Sequence, residues 1–333
     1  MATRLNLLCI ALLASACAIL PLKAQTCQTS GDLDDPTRSS ILAAGQGFFD
    51  KASKGDVAAL RQNSIASLAS DFSAVEMAVK DHQQSLAGAK ASTKSIFLLE
   101  ADGTAPIPHA EFYCGVFGKN GQTAGSAEFF LDNLPPGKYA VAILDSVSPQ
   151  ALFSFSVVLQ RVSTDWKLGN LYLKPSVVAG HDSEWFLARA RDYKTKNQVH
   201  NAWLFFLEAR SLISPLPFMS TQATDKLYDE MQGVQAADVP EDGKTANFIA
   251  GGATYVLTAL FPEGVGNDLD LVVKYQTADV SNTNQTNQNN VALMKALLTK
   301  YPEFREAFAA VVVRAVDPTG HDFGTLLATK EIK

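Results

Sequence analysis

Ser95-Ile96-Phe97-Leu98-Leu99-Glu100-Ala101 is where this chain changes its period. Upstream, apolar residues recur three and four positions apart. From Ser95 onward they alternate, or run together in short stretches parted by turn residues, which is the patterning of strands. Ser95–Ala101, His109–Phe117, Ala127–Leu131, Lys138–Asp145, Leu152–Gln160 and Trp166–Leu173 each read as a strand. Asn133-Leu134-Pro135-Pro136-Gly137 precedes one of them and Ser163-Thr164-Asp165 joins the last two, both with turn-forming residues in place.

Back from Ser95 the pattern is helical. A first helix begins at Ile41-Leu42, takes in Phe48-Phe49 and stops around Lys54-Gly55-Asp56. Asp56 then reads as the N-cap of a second helix carrying Val57, Leu60 and Ile65. Ser73-Ala74-Val75-Glu76 has the form of a capping box opening a third, with Phe72 and Met77 placed as a hydrophobic staple and Gly88 suited to its end. Residues 41–175 are therefore expected to form an α+β domain, with N-terminal helices followed by a curved antiparallel sheet. Residues 25–40 read as a tether.

Helices first and then a long sheet ending in Asp165-Trp166-Lys167-Leu168 resembles the NTF2-like α+β family over about 140 residues. That resemblance implies a pocket between the concave face of the sheet and the helices. Within the same stretch, Leu134-Pro135-Pro136-Gly137-Lys138-Tyr139 is similar to the prealbumin-type regulatory domain of carboxypeptidases, over about 50 residues. A domain of that type would suit a carbohydrate-binding β module.

Beyond Pro175, Phe186, Ala190, Tyr193, Ala202, Phe206, Ala209 and Pro215 resemble the tetratricopeptide pattern over about 34 residues. Arg189 departs from it, and Pro215 falls one residue late. Residues 180–233 are expected as a helical hairpin docked between domains, with a further helix around Thr221–Gln232. Phe186, Tyr193 and Phe206 are candidates for a partner surface. Residues 245–333 read as a small ββαββ unit in which Ser281–Asn290, almost all Ser, Thr, Asn and Gln, is a solvated loop before a helix from Val291 to Tyr301.

The chain has 333 residues, 47% of them hydrophobic, which excludes a disordered reading and leaves room for more than one core. Arg4 precedes an apolar run from Leu5 to Leu22 and small Ala24 precedes Gln25, the pattern of a secretory signal peptide over residues 1–24. Cleavage before Cys17 as a lipoprotein and retention as a membrane anchor are the other readings of this run. Removing the segment takes away two positive charges and no acid, so formal charge moves from −6 to −8. Such an acidic chain is not expected to bind nucleic acid. No later run is long enough to span a bilayer.

Cys27 and Cys114 are the cysteines left after cleavage, and in an oxidising compartment they could bridge. No Cys or His pair has zinc spacing, and no P-loop, G-x-S-x-G or H-E-x-x-H appears, so no metal or cofactor is expected. One strand carries a suspicious polar face: His109, Glu111 and Tyr113 alternate with Ala110, Phe112 and Cys114. Were that face concave, Glu111 and Tyr113 could act as base and hydrogen-bond donor with His109 at the mouth. Tyr139 and Asp145 share a face of their own strand and join the candidate pocket. The expected function is an exported, non-catalytic binding or interaction protein of the cell envelope, its partner an unknown protein or small ligand. The alternative is a small-molecule carrier or enzyme using the pocket over strand 109–117.

Overall fold

The computed structural model describes residues 25–119, 121–147, 152–241 and 243–333; the expected signal segment, Cys17 included, lies outside them. The fold is α+β. Its first element corrects the expected tether, for β1 (Gln25–Thr29) is a strand. α1 (Asp35–Ser53) follows at once, because Pro36 suits the first turn and the Asp34 carboxylate accepts from the Thr37 N–H at 2.7 Å. α2 (Val57–Gln62) starts as expected, with Asp56 accepting from Ala59 N–H at 3.0 Å. α3 (Ala66–Ser70), α4 (Ser73–Asp81) and α5 (Gln83–Leu86) complete the helical layer.

The expected capping box at Ser73 is not made. Phe72 occupies the N-cap, the Ser73 hydroxyl donates to Asp71, and Glu76 is taken by Lys80. The staple fails with it, since Phe72 is buried and Met77 is 58% exposed.

β2 (Lys90–Ala101), β3 (Ile107–Cys114), the short hairpin β4 (Phe117–Gly118) and β5 (Gly121–Gln122), β6 (Ala127–Leu134), β7 (Gly137–Val147), β8 (Leu152–Val162) and β9 (Asp165–Pro175) follow. They do not form one curved sheet. β1-β2-β7-β8-β9 make a large antiparallel sheet, while β3 and β6 pair in a smaller one. Ile96, Leu98, Ala140, Ala142 and Leu144 face the helices, where they meet Ile41, Phe49, Leu60 and Val79. Phe97, Leu99, Tyr139, Val141 and Ile143 face the small sheet, where they meet Ala110, Phe112 and Phe129. The large sheet is thus buried on both sides, which is why its central strands read as unbroken apolar runs. Leu134-Pro135-Pro136-Gly137 is the crossover between the sheets: Asn133 (φ 52°) and Gly137 (φ 155°) turn the chain, and the Tyr139 hydroxyl donates to the Pro135 carbonyl at 2.8 Å.

α6 (Ser183–Thr195) and α7 (Val199–Ile213) form the hairpin. β10 (Met219–Thr221) returns to the first half and pairs with β6. α8 (Gln222–Gln232) carries the capping box that Ser73 does not, between Thr221 and Thr224. Then come β11 (Ala246–Ala250), β12 (Ala253–Val265), β13 (Asp268–Gln276), α9 (Thr283–Lys300), α10 (Phe304–Ala307), β14 (Ala310–Val316) and β15 (Asp322–Ala328), whose strands lie in chain order. β13 and β14 are parallel, with α9 as their crossover. The expected ββαββ unit gains β11 at its edge. Its polar stretch is helical rather than loop, because Asn282 caps α9 and Asn290 turns inward. The hairpin and this sheet share one core, in which Phe186, Phe205 and Phe206 join Leu271, Val273, Leu293 and Val311. The expected boundary between 180–233 and 245–333 therefore runs through a single packed unit.

Candidate functional site

The expected pocket over strand 109–117 is not formed. Ala110, Phe112 and Cys114 point into the sandwich, which sends His109, Glu111 and Tyr113 to the outer face of the small sheet, away from the helices. There Tyr113 is 55% exposed and donates to Glu111 at 2.9 Å, while His109 Nδ1 lies 2.7 Å from Asp132. Tyr139 is buried between the sheets, and Asp145 sits near the far end of β7 beside Lys94 at 3.5 Å, so these residues do not converge. Phe186, Tyr193 and Phe206 are each no more than 1% exposed, which removes them as a partner surface. The hairpin spends its aromatics on its own core. Cys27 and Cys114 are bridged, with Cα atoms 4.9 Å apart, and the bond ties the edge strand β1 to β3 across the sandwich.

A cleft of about 720 Å³ lies elsewhere, bounded by α7, α8, the end of β9 and the β12 strand. α7 is apolar almost all round, so one side of it can face the core while Trp203, Leu204, Leu207, Glu208, Arg210, Ser211 and Ser214 line the cleft. Leu260, Phe261 and Pro262 form the opposite wall, and Tyr228, Met231 and Gln232 of α8 close one side.

Charge is arranged unevenly around this space. Lys174 is committed: its ammonium donates to the Ser211 carbonyl at 2.8 Å, the Ser211 hydroxyl at 3.3 Å and the Ser214 carbonyl at 2.9 Å. A cation there satisfies carbonyls that the end of a helix leaves free. Burial lowers the Lys174 pKa, against the pull of Glu208. Glu208 is pushed up to about 7 by burial, with Lys174 only partly opposing the shift. Arg210 lies over the Tyr228 ring, 5.4 Å from its centre, and among the described residues its Nε has no hydrogen-bond partner. The Trp203 indole N–H is also buried, with no hydrogen-bond partner among the described residues. Buried donors are nearly always paired, so two orphans in the wall of one cavity need an explanation.

A second cavity of about 400 Å³ adjoins the first across Lys174. Asp145, Ser154 and Lys174 are neighbours across β7, β8 and β9 and all line it. Among the described residues the Ser154 hydroxyl has no hydrogen-bond partner. Asp145 thus borders a cavity, though not the one its strand face suggested.

Among the described residues, no group of three or more His, Cys, Asp or Glu is placed to hold a metal ion, and no helix is long and apolar enough to cross a membrane. Comparison with known protein families, with curated proteins and with solved structures finds no match to this chain. Nothing local in the sequence marks Glu208 or Arg210. They read as ordinary polar positions on a helix, and only the return of β12 past α7 encloses them.

Proposed function

We propose that this chain is an exported binding protein that holds a small ligand in the cleft between α7, α8 and β12. The reading rests on one observation: Trp203 and Arg210, whose indole N–H and Nε are buried without a hydrogen-bond partner among the described residues, line the same cleft as the buried Glu208. Such groups are costly to leave without partners, and a ligand or ordered water would repay them. The cavity volume falls in the range that encloses small ligands. Export is supported by the pattern of residues 1–24 and by the Cys27–Cys114 bridge, which suits an oxidising compartment. Native mass spectrometry of the protein taken unreduced from its own cell envelope is the test. A retained mass of a few hundred daltons, lost on denaturation and absent from a cleft-filling Leu207→Trp variant, is expected; a bare chain would overturn the reading.

A further inference from the structure

Resting on that cleft reading, we infer that the ligand is a short linear peptide with free termini and apolar side chains, its ammonium held by Glu208 and its carboxylate by Arg210. Both residues line the cleft from α7. Two positions apart on a helix is about 200° of arc, so the two side chains border opposite edges of the lining face rather than each other. Between them lie Leu204, Leu207, Ser211 and Ser214.

Among the described residues, Glu208 makes no hydrogen bond and no close ion pair, feeling the Lys174 charge only through space, and Arg210 Nε has no hydrogen-bond partner beside the Tyr228 ring. The other charges of the cleft are occupied. Lys174 is bonded to the end of α7, and Glu241 is bonded to Gln235 at 2.7 Å and faces Lys244 at 3.5 Å. The cleft therefore presents one acid and one base whose side chains have hydrogen-bonding capacity left for a ligand. A ligand bringing both repays both desolvations, whereas a simple anion or a simple amine would repay one and oppose the other.

The distance between the two edges sets the length. A helix with its side chains is about 10–12 Å across, so a single amino acid, whose charged groups share one carbon, cannot reach both edges. Two to four residues, at about 3.5 Å each, can. Leu204, Leu260 and Phe261 offer the apolar wall that side chains would take, and Gln232 and Thr258 offer donors and acceptors for peptide groups. Arginine suits the carboxylate end because its guanidinium can make two parallel hydrogen bonds.

The test is calorimetric titration of the full protein with Ala-Leu-Ala and Ala-Phe-Ala, each also as the N-acetyl and the C-amide form. Expected are binding of the free peptides and losses of about tenfold or more on capping either end. Glu208→Gln should weaken the free peptide but leave the acetylated one unchanged, and Arg210→Gln should do the same for the amidated one. Equal binding of free and capped forms would overturn the inference, as would variants that weaken all forms alike. No binding, with a non-peptide mass retained in native mass spectrometry, would overturn the peptide while leaving the cleft. No binding and a bare chain would overturn both.

Discussion

Lys174, next to the end of β9, holds Ser211 at the last turn of α7 by two hydrogen bonds, 2.8 Å to its carbonyl and 3.3 Å to its hydroxyl. One side chain of the large sheet thereby fixes the helix that lines the cleft. Replacing Lys174 with Met keeps the stem and removes the ammonium, leaving the carbonyls of Ser211 and Ser214 without that donor. A loss of about 1–3 kcal/mol is expected. Denaturant titration should show a lower midpoint with an unchanged slope, and hydrogen exchange should quicken in the last turn of α7 first.

The disulfide closes a loop between residues 87 positions apart. Loops of that size restrict the unfolded chain strongly, so the Cys27→Ser/Cys114→Ser double variant should lose about 2–5 kcal/mol. Thermal melting with and without a reductant checks this. Equal melting of the parent and the double variant would mean that β1 is held by its pairing with β2 alone.

Glu208 sets a pH dependence whose sign is fixed. Its folded pKa is raised by burial from 4.5 to about 7, so the folded state keeps the proton to higher pH than the unfolded state does. Stability from this group is complete below about pH 4.5 and is lost as pH rises through 7, by at most about 3 kcal/mol. Glu208→Gln should therefore match the parent at pH 4 and be more stable than it at pH 8. Unfolding free energies at the two values decide it, and a constant offset between them would contradict the assignment.

Asn290 is fully buried in α9. Its amide donates to the Val313 carbonyl at 3.2 Å and to the Thr325 hydroxyl at 3.0 Å, while its oxygen accepts from the Tyr275 hydroxyl at 2.9 Å. Asn290→Ala deprives the buried Tyr275 hydroxyl of its acceptor and leaves a gap, while Thr325 keeps its bond to Asn287 at 2.9 Å. About 2–4 kcal/mol should be lost, read as a fall in the unfolding midpoint.

Tyr193 is enclosed at the centre of the hairpin, with its ring 5.0 Å from that of Phe205. Tyr193→Ala should cost about 3–5 kcal/mol. The loss should appear in denaturant unfolding of the isolated protein, without any partner present.

Much of this architecture was legible because periodicity survives tertiary context. Six principal strands between Ser95 and Leu173 and the helical hairpin each appear close to their expected places. The division into two sheets was not legible. Phe97-Leu98-Leu99 is apolar on both faces, which specifies burial on both sides but not which element covers each. β1 was hidden because Gln25–Thr29 is polar and gains its place by pairing with β2 and by the Cys27 bridge. The α9 helix was hidden by composition: Asn and Gln are poor markers, and a single inward Asn290 carries its buried polar contacts. The cleft was beyond reach altogether, since Glu208 and Phe261 are brought together by topology and by no local signal.

β10 gives the order of synthesis a physical meaning. Met219, Ser220 and Thr221 are the partners of Phe129, Glu128 and Ala127. Until those three residues leave the ribosome, one edge of the small sheet offers free N–H and C=O groups to any extended chain nearby. A half-made polypeptide ending near Pro175 is thus an open template, prone to stick to its own copies, and the later half of the chain acts as its first chaperone.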